Sequence, residues 1–322
     1  MNLSKTKTAC LIAILLGVVT CAEAKPAPPV PPPVIKVTVN DLSPKFLKFY
    51  DEAQKAKAPP DARWELWKKD YHFAAVPPTP EGDAMARKML DAAWPRYAAA
   101  MEVIGRGANG MKPDGQSLVS LIAAQLKPEK PAEITLLTYV GNFEDNAFTY
   151  ADEGKITTAV SLEGDPGMRE FLMTHELTHA VHIAMGSLSG GWIRTIGTTV
   201  VAEGLAMRTT QKLVKRPTEA AYVERTPGWF ADATAHRAEI LKDVRAVLES
   251  SKSEDVMRYT MGKGPSGVER EAYYAGWVVV GYWLEKGMTL AQIARIPEAQ
   301  MPDRVRAAID EMQAVKWDDG KD

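Results

Sequence analysis

The spacing of hydrophobic residues changes along the chain. Between about residues 42 and 128, apolar residues recur every three or four positions, as in "SPKFLKFYDEAQKA", and this spacing predicts helices. Residues 134–140, 146–151 and 156–162 are instead short stretches rich in apolar and β-branched residues, and residues 152–155 supply a turn between the last two. We therefore expect one small, mainly antiparallel sheet within a mostly helical chain.

The pattern after residue 165 is helical again. Asp165 is placed as an N-cap, Pro166 at the first helical position and Gly186 just past the end, which predicts a helix over 165–185. Three more helices are predicted at 193–214, 231–249 and 270–286. The predicted fold class is α+β and mostly helical, with a helical region at 41–128, the sheet and its neighbouring helices at 129–215, and a C-terminal helical subdomain at 216–322.

The first 24 residues are typical of a signal peptide. Lys5 and Lys7 precede a short apolar run, and Ala22-Glu23-Ala24 offers a small-x-small cleavage site. The run is too short to cross a membrane. We therefore expect an exported protein, periplasmic or secreted, without a transmembrane span in the mature chain. Residues 25–40, which begin "KPAPPVPPPV", are expected to form a proline-rich linker.

The cysteine content and the net charge exclude several kinds of chemistry and of partner. Cys10 and Cys21 are the only cysteines, and cleavage after Ala24 removes both, so no disulfide, thiolate ligand or cysteine nucleophile is expected. A lipid anchor at Cys21 stays open as an alternative, although Thr20 is an unusual residue before a lipidated cysteine. A net charge of −2, without a long basic run, argues against a nucleic-acid partner.

The stretch "MTHELTH", residues 173–179, carries the candidate chemistry. On a helix, His175 and His179 are one turn apart and face the same way, which suits two ligands of one tetrahedral zinc ion. Glu176 falls beside that face, where it can accept a proton from an attacking water without ligating the metal. The pattern H-E-x-x-H therefore predicts a zinc-dependent hydrolase.

A catalytic zinc needs a third protein ligand, and Glu203 in "VVAEGLAM" is the candidate. It interrupts an otherwise apolar helical stripe, and an unpaired buried carboxylate is costly unless a metal or a cation neutralises it. Pairing of Glu203 with an arginine is the alternative. A third histidine, as in metzincins, is rejected because Met185 stands where that histidine is required.

These residues resemble the gluzincin group of zinc peptidases, in which a Glu on the following helix completes the HExxH site. Two more segments support the resemblance. Asn146-Ala147-Phe148 is similar to the substrate-binding edge strand of thermolysin-like peptidases. The segment "YYAGWVVVGYWLE", residues 273–285, is similar to the Y-x-x-G helix of aminopeptidase N-type enzymes, whose Tyr donates to the oxyanion. The resemblance maps that role to Tyr273, with Tyr274 as the alternate.

The resemblance implies a zincin-like catalytic domain with one catalytic zinc and a peptide or protein substrate that pairs with residues 146–148. One departure is that Met207 stands where thermolysin-like enzymes place an Asp that orients a zinc histidine. We interpret the chain as an exported zinc peptidase. The rival interpretation is a catalytically inactive zincin-like protein that binds partners in the cell envelope, but such a protein has no need of Glu176.

Overall fold

A computed structural model describes residues 34–191 and 193–315. Four strands form one sheet: β1 (Ile35–Asp41), β2 (Ala132–Tyr139), β3 (Ala147–Asp152) and β4 (Lys155–Ser161). The helices before and beside the sheet are α1 (Ser43–Lys55), α2 (Pro60–Asp70), α3 (Pro80–Arg106), α4 (Gly115–Leu126), α5 (Pro166–Ala184) and α6 (Ile196–Leu213). The later helices are α7 (Trp229–Ala235), α8 (Arg237–Ala246), α9 (Ser253–Thr260), α10 (Glu271–Glu285), α11 (Leu290–Ile293) and α12 (Met301–Ala314). The fold class is α+β and mostly helical, as expected.

The sheet is mixed, and the expectation of a mainly antiparallel sheet is wrong. The strand order is β1-β2-β4-β3, and β1 with β2 and β2 with β4 are both parallel. Only the β3–β4 hairpin is antiparallel. The local turn signal at 152–155 correctly identified that hairpin, because Glu153 and Gly154 both adopt the positive φ of a tight hairpin turn. The parallel pairings join segments that are far apart in sequence, so no local pattern encodes them.

The predicted linker at 25–40 is also corrected. Residues 35–40 belong to β1, an outer strand of the sheet whose Ile35 pairs with Ala132 of β2. The linker prediction, which was based on the prolines before residue 34, extended too far along the chain. Ile35, Val37 and Val39 alternate with polar residues, which is typical of a strand. The predicted signal peptide and residues 25–33 of the linker lie outside the described residues.

Both faces of the sheet are covered, which explains the nearly continuous apolar run in β2. Ile134 and Leu136 join the larger core, which contains α4, α5, α6 and α10, whereas Leu137 and Tyr139 join a second core beneath α1, α2 and α3. Alternate residues of a strand point to opposite faces, so a strand buried on both sides is apolar throughout.

Most helix predictions are confirmed, with shifted ends. Helix α5 has Asp165 as its N-cap, as predicted, and α6 begins at Ile196 rather than 193 because Thr195 caps it. The helix predicted over 231–249 is broken at His236 into α7 and α8. Among the described residues, no helix is both long and apolar enough to span a membrane.

Candidate metal centre

The candidate site lies between α5, α6, α10 and the strand β3. Helix α5 packs against both β3 and α6, and α6 packs against α10. The starts of the two ligand-bearing helices are fixed by side-chain caps, since the side chain of Asp165 accepts from the Met168 N–H and that of Thr195 from the Thr198 N–H. These caps set where α5 and α6 begin and therefore which residues face each other.

Three ligand atoms converge between α5 and α6. The Nε2 atom of His175 lies 3.1 Å from Oε2 of Glu203 and 3.2 Å from Nε2 of His179. The His179 Nε2 atom lies 3.4 Å from the same Glu203 oxygen. The three residues predicted as metal ligands are thus brought together in a near-equilateral triangle.

This triangle fits a zinc ion. Zinc bonds to His nitrogen and carboxylate oxygen are about 2.0–2.2 Å, so two ligands at the tetrahedral angle are about 3.3–3.5 Å apart. The three separations here are 3.1–3.4 Å. Two imidazoles and one carboxylate are also the donor set of catalytic zinc sites that leave the fourth position open. His175, His179 and Glu203 would therefore hold the metal.

Burial and charge support a ligand role for Glu203. Its side chain is only 4 % exposed. Burial alone raises its pKa, but the charge of His179 and hydrogen bonds to both histidines hold the pKa of Glu203 well below its usual range. Burial likewise lowers the pKa of His179, and the Glu203 carboxylate more than reverses this effect. The carboxylate is therefore kept ionised, as a metal ligand must be.

Arg194 contacts the same carboxylate, and the sequence did not reveal it. Its Nη2 lies 3.4 Å from Oε1 of Glu203, on the oxygen that does not face the histidines. The alternative in which an arginine pairs with Glu203 is thus realised, but on one oxygen only, which leaves Oε2 for a metal. Arg194 lies in the irregular segment before α6, where hydrophobic spacing carries no signal.

Glu176 lies beside the triangle rather than within it. Its carboxylate is within 4.8 Å of ring nitrogens of both histidines. Burial raises the pKa of Glu176, and the charges of His179 and His175 oppose that rise. A carboxylate with a raised pKa is a stronger base than an ordinary one, which suits proton transfer from water. Thr149 of β3 donates to the backbone carbonyl of Glu176 at 2.9 Å and ties the strand to α5.

Strand β3 is the free edge of the sheet next to this site. The carbonyl of Asn146 accepts a hydrogen bond from the Ser161 N–H at the end of β4. In an antiparallel pair, the backbone N–H and C=O groups of successive residues point alternately toward and away from the partner strand. The backbone groups of Phe148 therefore also face β4, whereas those of Ala147 and Thr149 face away from it. Further along, the Ala151 N–H donates to the Gly190 carbonyl, which closes that end of the edge. Of the predicted substrate residues, Ala147 is the one whose backbone faces outward.

The adjacent tyrosines of α10 have different surroundings. Tyr274 is 2 % exposed and packs against Trp229 and Phe230. Tyr273 is half-buried, and burial followed by the negative charge of Glu203 raises its pKa to about 12. Its hydroxyl therefore stays protonated. Arg270 stacks on the Tyr273 ring, with Cζ 3.8 Å from its centroid.

A glycine pair brings α6 and α10 into close contact. A Cβ atom on Gly204 would lie 2.3 Å from the Gly276 carbonyl oxygen, and one on Gly276 would lie 2.6 Å from the Val200 oxygen. Gly204 follows the candidate ligand Glu203, and Gly276 is three residues after Tyr273. The close crossing therefore sets the spacing between the side chains of Glu203 and Tyr273.

The surroundings of the candidate ligand histidines differ from the thermolysin-like pattern, as the sequence indicated. Nδ1 of His179 is buried and has no hydrogen-bond partner among the described residues. Met207 is 2 % exposed and packs into the larger core instead of orienting a histidine. The orientation of His179 is therefore fixed by packing and by its Nε2 contacts.

The fold is α+β, and this cluster is a candidate zinc site of the kind that zinc proteases use. A comparison with known sequence families agrees. Residues 142–302, half of the chain, match the family described as "Predicted Zn-dependent protease (DUF2268)", and the chain belongs to that family. Neither a curated protein nor a solved structure matches the chain.

Proposed function

We propose that the protein is a zinc-dependent peptidase of the gluzincin type, with His175, His179 and Glu203 as zinc ligands. The observation that carries this proposal is the convergence of their three ligand atoms to within 3.1–3.4 Å of one another. We also propose that it acts in the periplasm or outside the cell, on the strength of the signal-like residues 1–24.

Each residue around the triangle has a separate role in the proposed reaction. Bound zinc supplies Lewis-acid polarisation and lowers the pKa of a water to about 7. Glu176 accepts the proton of the attacking water and returns it to the leaving amine. The Tyr273 hydroxyl donates a hydrogen bond to the oxyanion that develops on the scissile carbonyl. The outward backbone groups of Ala147 and Thr149 pair with an extended peptide.

The second candidate is a zincin-like protein that binds partners in the cell envelope without turnover. The placement of Glu176 argues for turnover. It lies beside the metal face, where a binding protein gains nothing from a buried carboxylate whose desolvation costs free energy.

The test compares metal content and activity in two variants of the mature protein. Elemental analysis is expected to give near one zinc per chain, and His179→Ala is expected to lose most of it. Glu176→Gln is expected to keep the zinc and to lose about 10²- to 10⁴-fold in cleavage of a mixed peptide library, which is about 3–5 kcal/mol of barrier.

Glu170→Gln provides the matched control, because it makes the same chemical change on the same helix outside the ligand cluster. It should leave zinc content and turnover unchanged. Full zinc retention in His179→Ala would contradict the ligand set. Zinc binding without peptide cleavage by the unaltered protein would favour the binding protein instead.

A further inference from the structure

A cavity lies beside Arg270, the residue whose guanidinium stacks on the Tyr273 ring. Its volume is about 220 Å³, and its lining comprises Arg225, Thr226, Trp229, Met261, Glu269 and Arg270. Trp229 is fixed there from two sides: its ring packs against Tyr274, and its Nε1–H donates to the Glu269 carbonyl at 2.7 Å. The wall of the cavity is therefore built against the same helix, α10, that carries Tyr273.

The cavity presents two guanidinium groups that carry no carboxylate partner. Among the described residues, no carboxylate oxygen lies within 4.0 Å of a side-chain nitrogen of Arg225 or Arg270. The Nε atom of Arg270 is buried and has no hydrogen-bond partner in the described part of the chain. An unpaired buried N–H on a charged group is costly, so Arg270 favours an anionic ligand, and the exposed Arg225 in the same lining adds a second guanidinium charge.

The charges and shape of the cavity favour a carboxylate over a more highly charged anion. Two guanidinium groups and the carboxylate of Glu269 leave one net positive charge in the lining. That charge matches a monoanion, and the planar guanidinium fork matches the two oxygens of a carboxylate.

Arg270 connects the cavity to the proposed reaction site. Its guanidinium stacks on the ring of Tyr273, and its charge lowers the pKa of the hydroxyl that burial and Glu203 raise. With 3.8 Å between Cζ and the ring centroid, an anion bound to Arg270 would lie about two extended residues from Tyr273. At that distance, one short peptide could place a carboxylate at Arg270 and a carbonyl at Tyr273.

We propose that the cavity between Arg225 and Arg270 binds a carboxylate of the substrate peptide, and that the protein selects peptides bearing one close to the scissile bond. The carboxylate comes either from the peptide's free C-terminus or from an acidic side chain. This inference rests on the proposed peptidase function, but the binding step can be tested without turnover.

The experiment uses one hexapeptide in four forms: free acid or C-terminal amide, each with Glu or Gln as the penultimate residue. Binding to the zinc-loaded Glu176→Gln protein is measured by isothermal titration calorimetry. A form with a carboxylate at the correct position is expected to bind at least about 10-fold more tightly than its neutral counterpart. The acid–amide pair and the Glu–Gln pair distinguish the two sources of the carboxylate.

Variants then locate the preference in the cavity. Adding Arg225→Gln is expected to reduce the affinity ratio between the acidic peptide and its neutral counterpart to within about two-fold. Arg270→Lys keeps the positive charge but loses the planar guanidinium fork, so it is expected to reduce that ratio in part. Arg304→Gln, an exposed change on α12, is the control and should retain the preference. Equal binding of all four forms, no binding of any acidic form, or a preference that survives Arg225→Gln would overturn the inference. Selective binding without cleavage by the unaltered protein would instead count against the peptidase function alone.

Discussion

Tyr273 and Tyr274 are consecutive on α10, yet their surroundings differ. Adjacent helix residues point about 100° apart, so the two rings cannot share one environment. Tyr274 is held in a cluster with Trp229 and Phe230, whereas the pKa of Tyr273 responds to Glu203. Because of this contrast, Tyr274 is a matched control for a substitution of Tyr273.

Tyr273→Phe is expected to lower kcat by about 10- to 1,000-fold, or about 1.4–4 kcal/mol, with little change in KM. The reason is that a hydrogen bond to the developing oxyanion forms mainly in the transition state. Steady-state kinetics on a single peptide measure it. Tyr274→Phe makes the same chemical change on the buried neighbour and should cost far less. A crippled Tyr274→Phe enzyme would exchange the two roles.

At the same scale, the sequence pointed to the three side chains that the structure brings together. His175 and His179 share a face by spacing alone, and Glu203 stood out as a charge in an apolar stripe. Arg194 and Arg270 were missed. Arg194 contacts Glu203 from the irregular segment before α6, and Arg270, which contacts Tyr273, has a positive φ. Hydrophobic periodicity does not encode either backbone conformation.

At the scale of elements, the crossing of α6 and α10 holds the proposed catalytic groups at a fixed distance. Gly204 and Gly276 allow the two backbones to touch, because each has only backbone atoms or Val280 where a Cβ would point. Overpacking such a contact forces the helices apart, which typically costs about 1–3 kcal/mol. The Gly in the Y-x-x-G pattern is therefore explained by helix packing.

Gly276→Ala is expected to destabilise the protein by about 1–3 kcal/mol and to lower kcat, since it moves Tyr273 away from Glu203. Urea unfolding and peptide kinetics measure the two effects. Gly105→Ala is the control, because Gly105 lies in α3 and a Cβ atom added there would have no neighbour within 4 Å. That change should be neutral or slightly stabilising. An unaltered unfolding free energy in Gly276→Ala would show that the crossing tolerates a methyl group.

The sheet shows where prediction from sequence stops at this scale. The β3–β4 hairpin was predictable because its turn residues lie between its strands. The pairing of β1 with β2 was not, since α1 to α4 separate the two strands and only the tertiary fold selects their direction. The same holds for the outward backbone groups of β3, which follow from its register with β4 rather than from the residue types of Asn146-Ala147-Phe148.

At the scale of the whole molecule, the core contains a histidine that the proposed reaction does not use. His182 follows His179 on α5 and is fully buried. Burial, and then the charge of His179, lowers its pKa to about 3. Neither ring nitrogen has a hydrogen-bond partner among the described residues. In the unfolded chain a histidine has its ordinary pKa of about 6.5. Below that pH the unfolded chain binds a proton that the folded chain does not, so stability is lost as pH falls from about 6.5 toward 3.

Between about pH 8 and pH 5 this linkage removes about 2 kcal/mol of unfolding free energy, because one pKa unit corresponds to about 1.36 kcal/mol. His182→Leu eliminates the titrating group, so the difference between the two pH values should shrink by that amount relative to the unaltered protein. Urea unfolding at both pH values measures it, and the comparison between proteins cancels the groups that titrate in both. The exposed His72 serves as the control through His72→Gln, which removes an imidazole that lies at the surface. An unchanged pH dependence in His182→Leu would mean that His182 accepts a proton in the folded core, and that acid destabilisation arises elsewhere.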